Sequence, residues 1–236
     1  YYYKKTSHLK LFGWSFEWTT AKSLLKDSWP LILSGVMISI FMKIDQVMLQ
    51  EMVGSIEVGQ YAAASRISEV WYFIPMILAS SLFPAIYNSR QISQQLFVNR
   101  LVKFYSLMIW LSISIAVVVT LLSTWLIETL YGGVYLPSAD ILVIHIWAAI
   151  FVFLGVAHSK YLLSENRQME QFYRTFLAMI LNVISNIILI PKYGGVGAAV
   201  GILISQFMAG FCYDFIFRSS WHQGILKLRA FLFLFR

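Results

Sequence analysis

Apolar residues run along most of the chain in long stretches, broken at intervals by short polar clusters. A helix needs about 20 mostly apolar residues to cross the hydrocarbon of a bilayer. Six stretches reach that length, at about 29–50, 60–87, 101–127, 139–163, 172–190 and 196–217. None alternates over about ten residues, as a strand of a membrane barrel does. The connectors carry turn chemistry: Gly54 to Gly59, Asn88 to Asn99, Gly132-Gly133 to Pro137, Ser164 to Gln171, and Pro191 to Gly195. Residues 14–28 (WSFEWTTAKSLLKDS) are too polar to span yet rich in Trp, Phe and Leu. They predict a short amphipathic helix lying on the membrane face, capped by Thr19 or Thr20. Residues 221–236 repeat that character, or begin a further span. The pattern predicts an all-α integral membrane protein: a six-helix bundle over 29–217, preceded by a linker at 1–28 and followed by a tail at 218–236.

Composition narrows the function classes. The chain of 236 residues is 59% apolar and 12% charged, against about 45–50% and 25% in soluble domains. Mean hydropathy is +0.70, so neither a disordered chain nor an ordinary soluble enzyme fits. A single cysteine, Cys212, excludes a disulfide framework and a zinc site built on paired thiolates. The net charge of +7 is spread between the apolar runs, which argues for membrane orientation and against nucleic acid. Fourteen of the 18 Lys and Arg fall on one side of the predicted spans. They are Lys4, Lys5, Lys10, Lys22, Lys26, Arg90, Arg100, Lys103, Arg167, Arg174, Arg218, Lys227, Arg229 and Arg236. The opposite loops hold Lys192, with Glu51, Glu57, Glu128 and Asp140. That asymmetry predicts both ends in the cytoplasm. The start at Tyr1 predicts a piece of a longer protein. No phosphate loop, His-Asp-Ser order, metal cluster or convergent carboxylate pair stands out, so the sequence predicts no enzyme, no metal and no cofactor.

A charge near the middle of a span costs about 2.5–3.5 kcal/mol on insertion scales and needs a partner or a role. Lys43 and Asp45 lie in the first span, Arg66 and Glu69 in the second. Arg66 and Glu69, three apart, share a helix face and can pair. Two readings stay open: a structural Arg66–Glu69 pair with Lys43 snorkelling outward, or a hydrated cavity carrying both signs. Ser39, Lys43, Gln46 and Gln50 fall on one helical stripe, which should face protein or water. Asn182, Ser185 and Asn186 form a cluster suited to interhelical hydrogen bonds, with cavity lining as the alternative. His145 and His158 read as hydrogen-bonded interface residues, and Lys160 and Asp214 as groups reaching the interface. Pro75, mid-span, predicts a bend and a hinge, and Pro84 follows near the end of the same run.

Two blocks carry a family resemblance. Residues 29–87 contain Asp45 in IDQVML, the segment VGQYAAASRISEVWYFIP and the closing SLFPAI. Residues 182–201, NVISNIILIPKYGGVGAAVG, join an asparagine-rich helix, an IPKYG turn and a GAA helix start. Together they resemble the C-terminal lobe of polysaccharide flippases, the Wzx-type exporters of the MOP (MATE-like) superfamily. The resemblance implies one six-helix lobe of a twelve-helix transporter in the bacterial cytoplasmic membrane, working by alternating access. It implies as cargo an oligosaccharide linked to undecaprenyl diphosphate. It further implies as partners membrane lipids, a missing N-terminal six-helix lobe and, as a candidate, a polysaccharide polymerase. Lys43 and Arg66 then supply counter-charge for the diphosphate, and Asp45 and Glu69 balance the empty cavity or carry protons. Tyr61 and Tyr72 offer faces for sugar stacking, while Gln46, Gln50, Asn182 and Asn186 offer amides. Trp71 reads as packing. A lipid II flippase, a multidrug or cation antiporter, and a non-transporting scaffold remain alternatives.

Overall fold

The computed structural model describes residues 16–232, so residues 1–15 of the expected linker and 233–236 of the tail lie outside the described residues. Among the described residues there are helices and no strands: α1 Trp18–Met52, α2 Ser55–Glu69, α3 Phe73–Asn88, α4 Gln94–Tyr131, α5 Ser138–His145, α6 Ala148–Ser164, α7 Gln168–Phe207, α8 Tyr213–Ile216 and α9 Trp221–Leu232. Short turns join several of these end to end. Five continuous stretches are long and apolar enough to cross a membrane: Leu31–Met52, Ser55–Gln91, Gln94–Tyr131, Ser138–Ser164 and Gln168–Ile216. An all-α membrane protein is the consequence.

The fifth stretch merges the last two expected spans, and Gly194 explains how. Its backbone, φ 53° and ψ −132°, is non-helical and lies in a region open essentially to glycine. Contacts on either side run in opposite senses: Gly197 lies against Leu189 and Ile190, and Gly201 against Ser185 and Asn186. Nearer the far ends, Arg174 reaches the Ala209 carbonyl and Asp214. The stretch is therefore an antiparallel hairpin with almost no loop. A Cβ on Gly197 would sit 2.5 Å from the Leu189 carbonyl, so glycine there permits the close approach of the two legs. Glu57 secures the turn by accepting a hydrogen bond from the Gly195 amide at 2.7 Å, at the start of the second leg. Gly194→Ala should cost about 1–3 kcal/mol from backbone strain. Its Cβ would also lie 2.5 Å from a Glu57 carboxylate oxygen, so relief would break the Gly195 bond. Thermal unfolding in detergent should show a lowered Tm, and an unchanged Tm would refute strain at this turn.

Interhelix bonds sort the connectors into two ends. Arg90 pairs with Glu165, and Arg167 reaches Ser220, gathering the connectors near 90, 165 and 220. At the other end Gln60 donates to the Val134 carbonyl at 3.0 Å and accepts from Ser138, while Glu57 holds Gly195. The buried core lies where α4 meets α6, around Tyr105, Met108, Ile109, Phe153, Leu154 and Ala157. Large apolar side chains such as Leu121, Val118 and Ile188 stand exposed on the outer faces, as hydrocarbon solvation allows.

Local details refine or depart from the expected pattern. Residues 18–28 continue directly into α1, without a break after a separate interfacial helix. The cap is Glu17, whose carboxylate accepts from Thr19 at 2.8 Å and Thr20 at 2.7 Å. The Thr20 hydroxyl first, and Thr19 second, hold that carboxyl below its ordinary range. In the second stretch the irregularity is the 3-10 turn Val70–Tyr72, one turn ahead of buried Pro75. A proline at 75 offers no N–H to the carbonyl four residues back, at Trp71. Pro84 lies within α3, which runs on past it to Asn88. Over the described residues the tail forms α9, 12 residues that pack against α4.

Candidate functional site

The centre of the site is Asp45, 1% exposed on α1. Its carboxylate accepts from the Tyr61 hydroxyl of α2 at 2.6 Å and from the Asn186 amide of α7 at 2.6 Å. The Asn186 amide also reaches Asn182 Oδ1 at 3.3 Å and Met48 Sδ at 3.7 Å. One buried carboxylate thus joins three helices through neutral donors. Hydrogen bonds to a carboxylate are charge-assisted, at about 1.5–3 kcal/mol each. His145 completes the wall: its ring lies edge-on to Tyr61, 5.7 Å between centroids, and its Nδ1 is 3.0 Å from the Ser68 hydroxyl. This arrangement can hold a charge on Asp45, or take up a proton or cation there.

Of the expected site residues, Asp45, Tyr61, Asn182 and Asn186 come together in this buried network. Tyr61 spends its hydroxyl on Asp45 and is 2% exposed, so it presents no stacking face outward. Asn182 and Asn186 are likewise fully buried. The charges of Lys43, Asp45 and Arg66 all act on Glu69, so the four form a mixed-charge group. Of the two open readings, the Arg66–Glu69 ion pair is not formed: Arg66 is exposed, and Glu69 is half-buried on the same helix. Ser39, Lys43 and Gln50 are exposed and Gln46 half-exposed, so the polar stripe of α1 faces outward from the bundle. Tyr72 and Trp71 pack partly buried against the core.

Sequence reasoning missed a second polar centre at the opposite end. Asp214, expected to reach the interface, is 0% exposed. It is bonded by Arg174 and by Lys227 Nζ, the latter at 2.6 Å. Lys227 comes from α9, is itself fully buried, and also donates to the Gly210 carbonyl at 2.8 Å. Burial draws its ammonium down to about 8, against the pull of Asp214. Arg174 further binds Glu170 Oε1 at 3.0 Å and lies over the Tyr213 ring at 4.3 Å. Ser220 donates to the same Glu170 oxygen at 2.6 Å. Beside them the Tyr105 hydroxyl donates to Gln223 at 3.1 Å and lies 3.2 Å from His158 Nδ1. His158, Glu170 and Asp214 bring potential metal-ligand atoms within 4.8 Å of one another. Arg174 and Lys227 already neutralise those carboxylates, so Glu170 and Asp214 form the anionic part of an ion network beside His158. The Glu170–Arg174 spacing of four was a visible signal; nothing local announced that Lys227 would be buried.

Fold and site together define a polytopic α-helical membrane protein with a buried carboxylate centre beside an outward polar stripe. Residues 1–90, which hold Asp45, Tyr61 and the mixed-charge group, match a family described as polysaccharide biosynthesis protein. The chain is also 21% identical over 193 residues, 80% of its length, to the capsular polysaccharide biosynthesis protein CapF of Staphylococcus aureus. That match covers 48% of CapF, so the chain spans about half the length of the curated relative it resembles.

Proposed function

We propose that the chain is a transporter lobe, not an enzyme, and serves polysaccharide biosynthesis as part of a Wzx-type flippase. It would carry undecaprenyl-diphosphate-linked oligosaccharide across the bacterial cytoplasmic membrane by alternating access. The observation that carries this reading is the outward stripe Ser39, Lys43, Gln46 and Gln50 on a mostly apolar helix, with Arg66 exposed on α2. Such groups facing hydrocarbon are costly, so the stripe faces a water-filled cavity closed by a second lobe. Lys43 and Arg66 give a diphosphate its counter-charge, and the Asp45 network couples that face to the helical hairpin. The likeness to a capsular polysaccharide biosynthesis protein supports the same process. A multidrug or cation antiporter of the same superfamily is the second reading, favoured by the bonding of buried Asp45 to neutral donors. Binding measurements on the full-length protein separate them. A polyprenyl diphosphate should bind with strong salt dependence, and an organic cation bound in its place would establish the antiporter.

The fold contributes six crossings in this reading, with the hairpin counted as two and both ends in the cytoplasm. Cysteines at exposed Ser55 and Val134 should react with an impermeant maleimide applied to intact cells, and one at exposed Ser93 should not. Outside labelling of position 93 would invert the topology. Ser138 is unsuitable as a probe, being 0% exposed against Gln60.

A further inference from the structure

A cleft of about 250 Å³ opens on the outer face between α3 and α4. Its walls are Leu82, Ala85 and Ile86 from α3, and Phe104 and Leu107 from α4, with Arg100 and Lys103 at one end. Positions 82, 85 and 86 share one helix face, as do 100, 103, 104 and 107. Arg100 donates to the Ala85 carbonyl at 3.3 Å, which lays its guanidinium across the mouth between the two helices. That bond uses one of its five N–H donors. Both cations are exposed and lie near the start of α4, at the end where Arg90 and Arg167 gather. Leu107 lies seven residues beyond Arg100, so the apolar channel continues about 10 Å toward the middle of the bundle.

We propose that this cleft is a binding site for an anionic glycerophospholipid, its phosphate held by Arg100 and Lys103 and one acyl chain laid against Leu82, Ala85 and Leu107. Charge and apolarity are placed as that molecule needs them: two cations at headgroup depth, then an unbroken apolar wall. A basic pocket between helices on the Lys/Arg-rich side is suited to such headgroups. The walls include no residue of α1, α2 or α7, so the site is separate from the Asp45 centre and from the outward stripe. The neighbouring cation Arg90 pairs with Glu165 and lies outside the cleft walls.

Lipid retained by the purified protein tests this. The protein is extracted from membranes containing phosphatidylglycerol and phosphatidylethanolamine, and bound lipid is measured by mass spectrometry. Arg100→Gln with Lys103→Gln should lower bound phosphatidylglycerol at least fivefold, on about a kcal/mol per surface cation, and leave phosphatidylethanolamine unchanged. The charge-matched control, Lys22→Gln with Arg229→Gln, should retain it. Ala85→Phe keeps both cations and fills the cleft at an exposed position, so it should lose the same lipid without loss of Tm. Unchanged retention in the double variant or in Ala85→Phe would overturn the site. So would equal thermal protection by inorganic phosphate, which has no chain to place, or displacement of the phospholipid by stoichiometric polyprenyl diphosphate.

Discussion

Asp214→Ala should destabilise the protein by about 3–5 kcal/mol, the largest loss expected of a single substitution in either polar centre. The side chain is wholly buried between Arg174 and Lys227, and its loss leaves two buried cations facing each other. Glu170 remains for Arg174, but Lys227 keeps only the Gly210 carbonyl. Lys227→Met should cost much less: the apolar stem is preserved and Arg174 still neutralises Asp214. Combining Asp214→Leu with Lys227→Met should restore most of the loss, because Arg174 keeps Glu170 and a well-packed apolar replacement of a buried ion pair is often neutral. Thermal unfolding of detergent-solubilised protein gives the ranking. If Asp214→Ala unfolds at the wild-type Tm, the network contributes little to folding.

Asp45→Asn should leave folding nearly intact and reduce surface polysaccharide display about tenfold or more, as loss of a coupling of 1–3 kcal/mol predicts. Both Asp45 contacts are donors, the Tyr61 hydroxyl and the Asn186 amide. An asparagine carbonyl can still accept from Asn186, and the Tyr61 hydroxyl can rotate to accept from the new amide. The substitution therefore removes the charge and keeps the shape. Tyr61→Phe is the complement, keeping the charge and removing one donor, and its larger effect should be on stability, at about 1–3 kcal/mol. Display is measured in cells carrying the full-length protein, with its membrane level quantified alongside. Normal display with Asp45→Asn would make Asp45 a structural link and move the functional charge to Lys43 and Arg66. Lys43→Gln should then still impair display, and Lys43→Arg should partly retain it.

Helix positions were readable because spanning demands length and apolarity together, and few soluble patterns imitate that. The polar centre was partly readable for the same reason: Asp45, Asn182 and Asn186 stand out against apolar neighbours and are costly unless bonded. Their partnership with Tyr61 was not readable, because it depends on the azimuth at which α1, α2 and α7 meet. Arg66 and Glu69 failed for a different reason. A spacing of three allows a pair, but exposed Arg66 loses little by extending away, and Glu69 also lies in the field of Lys43. Arg174 and Lys227 looked like headgroup cations because sequence position gives the end of the bundle and says nothing about burial. Only the return of α9 across that end shows that both are inside.

The sharp reversal at Gly194 bears on how the protein is made. Its two legs are joined by so short a turn that they lie side by side from the start of the second leg. Their complementary surfaces, Gly197 on Leu189 and Gly201 on Asn186, already meet at the turn. In the six-crossing reading the pair would enter the lipid together, with a single cation, Lys192, at its tip. Arg174 and Asp214, at the open end, would meet last and close the hairpin once its tip has crossed. The 49-residue stretch would then close like a zipper, from glycine at its tip to a salt bridge at its open end.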